Sequence, residues 1–166
     1  MPPNETSPLE GVVAAWAKAW QDRKPAHLIA LWDKSDAESW YLSASSVEPF
    51  LGNAVVGFIQ RRCLNASTIG YQPSDLHLRR LAPDLGLAFF QLAWSEQTNR
   101  GLDRSLPIGG HVRVTMMMRQ HAGVWSVFHY AEAPLAPLLE LQAFYEAVAA
   151  EGLDRMPTRS FLQNAS

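Results

Sequence analysis

Cysteine is nearly absent from this chain: Cys63 is the only one in 166 residues. A single thiol cannot close an internal disulfide or build a thiolate metal site. Charge is also scarce. Asp, Glu, Lys and Arg together make up 18% of the residues and the formal net charge is -2. That leaves no basic stripe for nucleic acid and no polybasic anchor for a membrane surface. No apolar run approaches the roughly 20 residues that span a bilayer. The opening stretch, MPPNETSP, has neither a positive n-region nor an apolar h-region, so no signal peptide is expected. Repeats and low-complexity segments are missing too. A cytoplasmic protein without nucleic-acid or membrane partners is the plain expectation.

What the chain does have is apolar and aromatic. Hydrophobic residues reach 48%, with six tryptophans. That is enough for one core in one domain. Tryptophans in such number either fill a core or line an apolar pocket.

Residues 1–6 read as a polar tail. Ser7, Pro8 and Glu10 form a helix start, with Ser at N-cap, Pro at the first helical position and Glu at N3. Leu9, Val12, Val13, Trp16 and Trp20 then recur at helical spacing and predict one buried stripe. A second short helix over 27–32 buries Leu28, Ile29 and Trp32. Residues 39–43 read as a strand, and 48–52 as a tight connection. Asn53 can cap a third helix over 54–64 that buries Val55, Phe58, Ile59 and Cys63. From there the pattern turns to sheet: 71–80, then 87–97, then two runs over 111–132 around a Gln-His-Ala-Gly turn. A last helix is expected over 135–150. Its apolar arc is wide enough both to cover the sheet and to meet a partner. Residues 151–166 read as a tail. Helices that precede and follow a run of antiparallel strands predict an α+β domain over 7–150.

The order of elements, Leu31-Trp32-Asp33 closing the second helix, Pro49 to Gly52 entering the third, and the runs 112–115 and 123–130 resemble the nuclear-transport-factor-2-like superfamily. That superfamily includes SnoaL-like cyclases, ketosteroid isomerases and the association domain of calcium/calmodulin-dependent kinase; the closing hairpin is most similar to the last of these. The resemblance covers roughly residues 7–134. It implies a cone: a curved, mixed and mostly antiparallel sheet with N-terminal helices on its concave face, here followed by a C-terminal helix. It also implies a pocket between helices and sheet, and a homodimer built on the outer sheet face. It does not imply one function. Matched to the isomerases, Trp16 stands at the oxyanion-binding tyrosine, Trp40 near the general-base aspartate and Thr115 at the second carboxylic acid. Two indoles and a hydroxyl cannot run that proton shuttle, so steroid isomerisation of that type is rejected. The three positions stay as candidate pocket-lining ones.

The period of two along a strand assigns faces. With Thr115 pointing inward, Arg113 and Met117 follow, and Phe128, Tyr130 and Glu132 match them on the last strand. A one-residue slip would reverse this. Arg113 could grip a ligand carboxylate with Glu132 as a base, or the two could form a structural ion pair at the sheet edge. His129 is either an acid–base group beside Tyr130 or a packing residue at a sheet surface. Glu132, His129 and Tyr130 are thus the candidate catalytic groups. Trp16, Trp20, Trp40, Phe58 and Trp94 are candidate ligand-binding rings, either lining a cavity or filling the core. Arg113, Thr115, Met117 and Phe128 complete the candidate lining. No His or acidic cluster has metal-ligand spacing, and no cofactor is implied. Asp33, Asp36 and Glu38 read as turn chemistry. The expectation is a pocket for a small hydrophobic or aromatic ligand, with a non-catalytic association module as the alternative.

Overall fold

Leu9, Val12, Val13, Trp16 and Trp20 are all buried in the computed structural model of the chain, two of them tryptophans with no exposed surface. The described residues are 7–98, 107–135 and 146. They belong almost wholly to the first of two compact units, Met1–Pro134; the second is Leu135–Ser166. The helix expected over 135–150 and both tails lie outside the described residues, save that residue 146 is helical.

The first unit runs α1 (Ser7–Gln21), α2 (Pro25–Leu31), β1 (Trp40–Leu42), β2 (Phe50–Leu51), α3 (Asn53–Asn65), β3 (Ala66–Ala82), β4 (Leu85–Thr98), β5 (Ile108–His121) and β6 (Val124–Pro134). The six strands form one sheet in the order β2-β1-β6-β5-β4-β3. Only β1 and β6 pair in parallel; the others are antiparallel. This is the α+β class that the pattern predicts, with the mixed sheet that the resemblance implies.

Local differences have local causes. Residues 50–51, expected as connection, add a two-residue strand to the edge of β1. Asn53 does not cap α3. Gly52 holds the N-cap place at φ 48, with no side-chain hydrogen bond. A Cβ at Gly52 would lie 2.7 Å from the Ala37 carbonyl oxygen, so the chain passes too close there for any side chain. β3 is longer than expected. It accommodates Pro73 as an edge strand, where alternate N–H groups have no neighbouring strand to meet. Asp75, at φ 50, sits within a register break between Ser74 and His77, a bulge that bends the strand. The β5–β6 turn places Ala122 and Gly123 at positive φ, as a tight primed hairpin turn requires.

α1 packs on the inner sheet face. Its far end is tied to β3, where Gln21 Nε2 donates to the Tyr71 carbonyl at 2.7 Å and the Arg23 guanidinium donates to the Ala66 carbonyl at 2.7 Å. Its near end is fixed by contact. A Cβ on Gly86 of β4 would fall 2.5 Å from Leu9 Cδ2, and Leu9 is fully buried. Gly86→Ala is therefore expected to destabilise the fold by about 1–3 kcal/mol through overpacking. Urea denaturation would measure this, and a double-mutant cycle with Leu9→Ala should show part of the loss returned.

Candidate functional site

The strand register decides which side chains share space. On β5, Val112, Val114, Met116 and Met118 are buried, so the odd-numbered residues face out. Arg113, Thr115 and Met117 therefore do not line an interior. The expected register was one residue off, and a period of two turns such a slip into a complete exchange of faces. Arg113 pairs with Ala133 and Val114 with Glu132, so Arg113 and Glu132 lie on opposite sides of the sheet.

A second correction concerns β6. The ladder skips from Met117–His129 to Met118–Val127, leaving Phe128 as an extra residue. This bulge resets the alternation. Trp125 and Val127 point inward before it, and Tyr130 and Glu132 point inward after it. Phe128 instead lies under the Arg119 guanidinium, 4.3 Å from ring centroid to Cζ. His129 faces outward, edge-on to Trp40 at 4.2 Å, and Trp40 pairs with it across the parallel strands. Trp40 is thus an outer-face residue too, and Tyr41 takes the inward place. Burial holds the His129 imidazole below its ordinary pKa, so it stays neutral at neutral pH.

Inside the cone the rings meet. Trp16 lies within 6.4 Å of Trp20, Trp32, Tyr41 and Tyr130, centroid to centroid. Tyr41 and Tyr130 are Cα partners with stacked rings. Trp16 and Trp20 are packed core here. The hydroxyls form a polar thread through this core. Tyr71 and Tyr130 hydroxyls hydrogen-bond each other. Tyr130 then donates to Glu132 Oε1 at 3.0 Å, and Tyr41 reaches the same oxygen at 3.5 Å. The Ala44 backbone N–H donates to Glu132 Oε2 at 2.9 Å. Both carboxylate oxygens are therefore engaged within the chain, and Glu132 fastens the loop after β1 to β6.

An open cavity of about 350 Å³ lies where β4 ends and β5 begins. Trp94, Glu96 and Ile108 form one wall; Phe58, Arg61, Arg62 and Asn65 of α3 form another; Ser43 and Ser45 of the loop that Glu132 anchors complete it. Of the expected lining residues, only Phe58 and Trp94 border this space. The residue that sequence reasoning missed is Arg62. Its side chain is 15% exposed, and its Nε donates to Glu96 Oε2 at 2.8 Å. Its Cζ lies 5.0 Å from the Trp20 ring, 6.0 Å from Phe58 and 5.9 Å from Trp94. Burial opposes this charge, but the Glu96 and Glu132 carboxylates favour it and the guanidinium stays protonated. A signal was present. Arg62 falls on the same helical stripe as Val55, Phe58 and Ile59, and Glu96 falls on the inward parity of β4. Each pattern puts a charge where an apolar residue belongs.

Elsewhere, Asp33 accepts from the Ser35 N–H and hydroxyl, and Asp36 from the Glu38 N–H, as turn residues do. Arg119 and His121 lie within ion-pair reach of this turn. Among the described residues no group of three His, Cys, Asp or Glu could hold a metal. Nor is any described helix long and apolar enough to cross a membrane.

A model of the SnoaL-like domain matches residues 9–137, which span the helices, the sheet and the cavity. The chain belongs to the SnoaL-like domain family. Solved structures share its fold. A cystatin-like-fold protein from Caulobacter vibrioides aligns with 17% identity over 88% of this chain and 100% of its own, at a TM-score of 0.68. A protein of Streptomyces avermitilis, named as a candidate dehydratase of the nuclear-transport-factor-2-like family, aligns with 15% identity over 81% and 100%, TM-score 0.70. A candidate calcium/calmodulin-dependent kinase II association domain from Thiobacillus denitrificans aligns with 20% identity over 76% and 94%, TM-score 0.61. At these identities the likeness is one of fold. A comparison with curated proteins gives no match.

The thread of phenols in this SnoaL-like domain has a measurable consequence. Burial, and then the Glu132 charge, raise the Tyr41, Tyr71 and Tyr130 hydroxyls above the ordinary tyrosine value of 10.0. The folded chain keeps protons that the unfolded chain releases near that pH. Their stabilisation is thus complete below about pH 10 and is lost as pH rises beyond it. In an alkaline titration, tyrosinate absorbance from three of the four tyrosines should appear together with loss of near-ultraviolet circular dichroism. Early, non-cooperative ionisation of all four would contradict the buried network.

Proposed function

We propose that this SnoaL-like domain is a small-molecule-binding protein of the cytoplasm, taking a hydrophobic or aromatic ligand in the cavity beside Arg62. The observation that carries this reading is a space of about 350 Å³ bordered by the Phe58 and Trp94 rings over the Arg62–Glu96 pair. That is the small end of the range for ligand sites, and the mix of apolar walls with a few polar groups is typical of them. The neighbours named as dehydratase and association domain are compatible with a pocket but say nothing of this ligand. Acid–base chemistry by Glu132 with Tyr130 would require the carboxylate to exchange one of its internal partners for substrate. His129, on the outer face, has no part in such a step.

A second reading, a non-catalytic association module acting as a homodimer, is favoured by a different observation. The centre of the cone is filled by Trp16, Trp20, Tyr41, Tyr71 and Tyr130. The outer face, by contrast, presents Phe89 at 39% exposure, with Thr115 its Cα partner on β5.

Calorimetric titration with 2-naphthol, a neutral aromatic probe, separates the two. Saturable binding weakened by about three- to tenfold in Trp94→Ala and in Phe58→Ala is expected, since each ring supplies an apolar wall. Binding that ignores both substitutions, or no binding, removes the pocket reading. Sedimentation of Phe89→Glu tests the other: a shift from dimer to monomer supports association through the outer face.

A further inference from the structure

Resting on the pocket reading above, we infer that the ligand carries a single negative charge on an apolar body, and that the free edge of the Arg62 guanidinium receives it. The argument begins with unused donors. Arg62 has five N–H groups. Among the described residues it spends one: Nε donates to Glu96 Oε2. Among the described residues both terminal nitrogens lack a hydrogen-bond partner, and the side chain, 15% exposed, lines the cavity. Neither nitrogen is sealed in the interior, so both can be reached from the open cavity. Arginine's planar fork matches a carboxylate through two parallel bonds, and its Nη pair is the part left open.

Three rings hold that fork in place. Trp20, Phe58 and Trp94 lie 5.0, 6.0 and 5.9 Å from Cζ. A guanidinium so confined loses little freedom on meeting an anion, which favours binding over a loose surface arginine. The local charge agrees. The cavity wall carries Arg61, Arg62 and Glu96, two positive groups and one negative, leaving one positive charge in excess. Glu132 also acts on Arg62 through space, but its oxygens already accept from Tyr41, Tyr130 and Ala44. It does not occupy the fork. Glu96 binds from one side through a single nitrogen and neutralises one charge. The remaining wall, Phe58, Trp94 and Ile108, is apolar. A dianion would exceed the charge available, and a neutral ligand would leave the Nη donors unmet. An aromatic or alicyclic monocarboxylate satisfies both.

The test compares two ligands of one shape, 2-naphthoate and 2-naphthamide, by calorimetry at neutral pH. The carboxylate is expected to bind about tenfold more tightly than the amide, the worth of a charge-assisted pair in a partly buried site. Glu96→Gln removes the competing carboxylate and should raise the ratio of naphthoate to naphthamide affinity by about threefold or more. Arg62→Gln should erase the preference, bringing the acid and the amide to affinities within about twofold of each other. Equal affinity for acid and amide in the wild-type protein overturns the charge inference and leaves the pocket reading standing. Failure of both ligands to bind overturns the two together. Naphthoate preference that persists in Arg62→Gln, or that does not strengthen in Glu96→Gln, also overturns the assignment. Should Arg62→Gln not fold, the wild-type preference and Glu96→Gln decide.

Discussion

Trp16 touches rings from three separate elements at once: Trp32 after α2, Tyr41 on β1 and Tyr130 on β6, with Trp20 one turn along its own helix. That contact closes the domain. It locks α1 against the parallel pair β1 and β6, where Tyr41 and Tyr130 face each other. A truncation of such a ring costs about 3–5 kcal/mol, a large share of the whole stability of a domain this size. The same contact occupies the centre of the concave face, so any ligand space must lie elsewhere.

The consequence is a site displaced toward the sheet end. There α3 and the ends of β4 and β5 diverge enough to leave an opening, and polar groups gather where packing is incomplete. Burying a charge is costly unless it is paired. Arg62 meets that cost with Glu96 and three aromatic faces. Glu132 meets it with two phenols and a backbone N–H. The two devices differ in what remains. Glu132 is saturated and holds the loop bearing Ser43 and Ser45; Arg62 keeps donors to spare. A core carboxylate and a cavity-lining guanidinium thus differ in role: one builds the wall, the other borders the open space.

The elements themselves were legible in the residues. Leu9 to Trp20 recur at helical spacing, and all five members of that stripe are buried. The 111–132 hairpin was legible because two alternating runs flank a short glycine-bearing turn. These are local signals, carried within a dozen residues, and local sterics read them the same way whatever lies beyond. The family resemblance rested on that order of elements, and the SnoaL-like match over 9–137 agrees with it.

Faces were another matter. Within 111–118 the alternation of Val112 and Val114 with Arg113 and Thr115 favours the even-numbered set as inward; the opposite expectation came from placing Thr115 inward, and the burial of Val112, Val114 and Met116 settles it. The extra residue at Phe128 is still less visible, because a bulge is a mismatch between two strands and belongs to neither alone. The pairing of Arg62 with Glu96, 34 residues apart, likewise exists only after α3 and β4 have met. Composition and periodicity determined by themselves the three helices and the antiparallel hairpin of the described residues, since each follows from short-range pattern. Which side chains share an enclosed space was decided by the tertiary structure, because strand register and helix docking are set by the fit of distant surfaces and one residue of shift exchanges inside for outside.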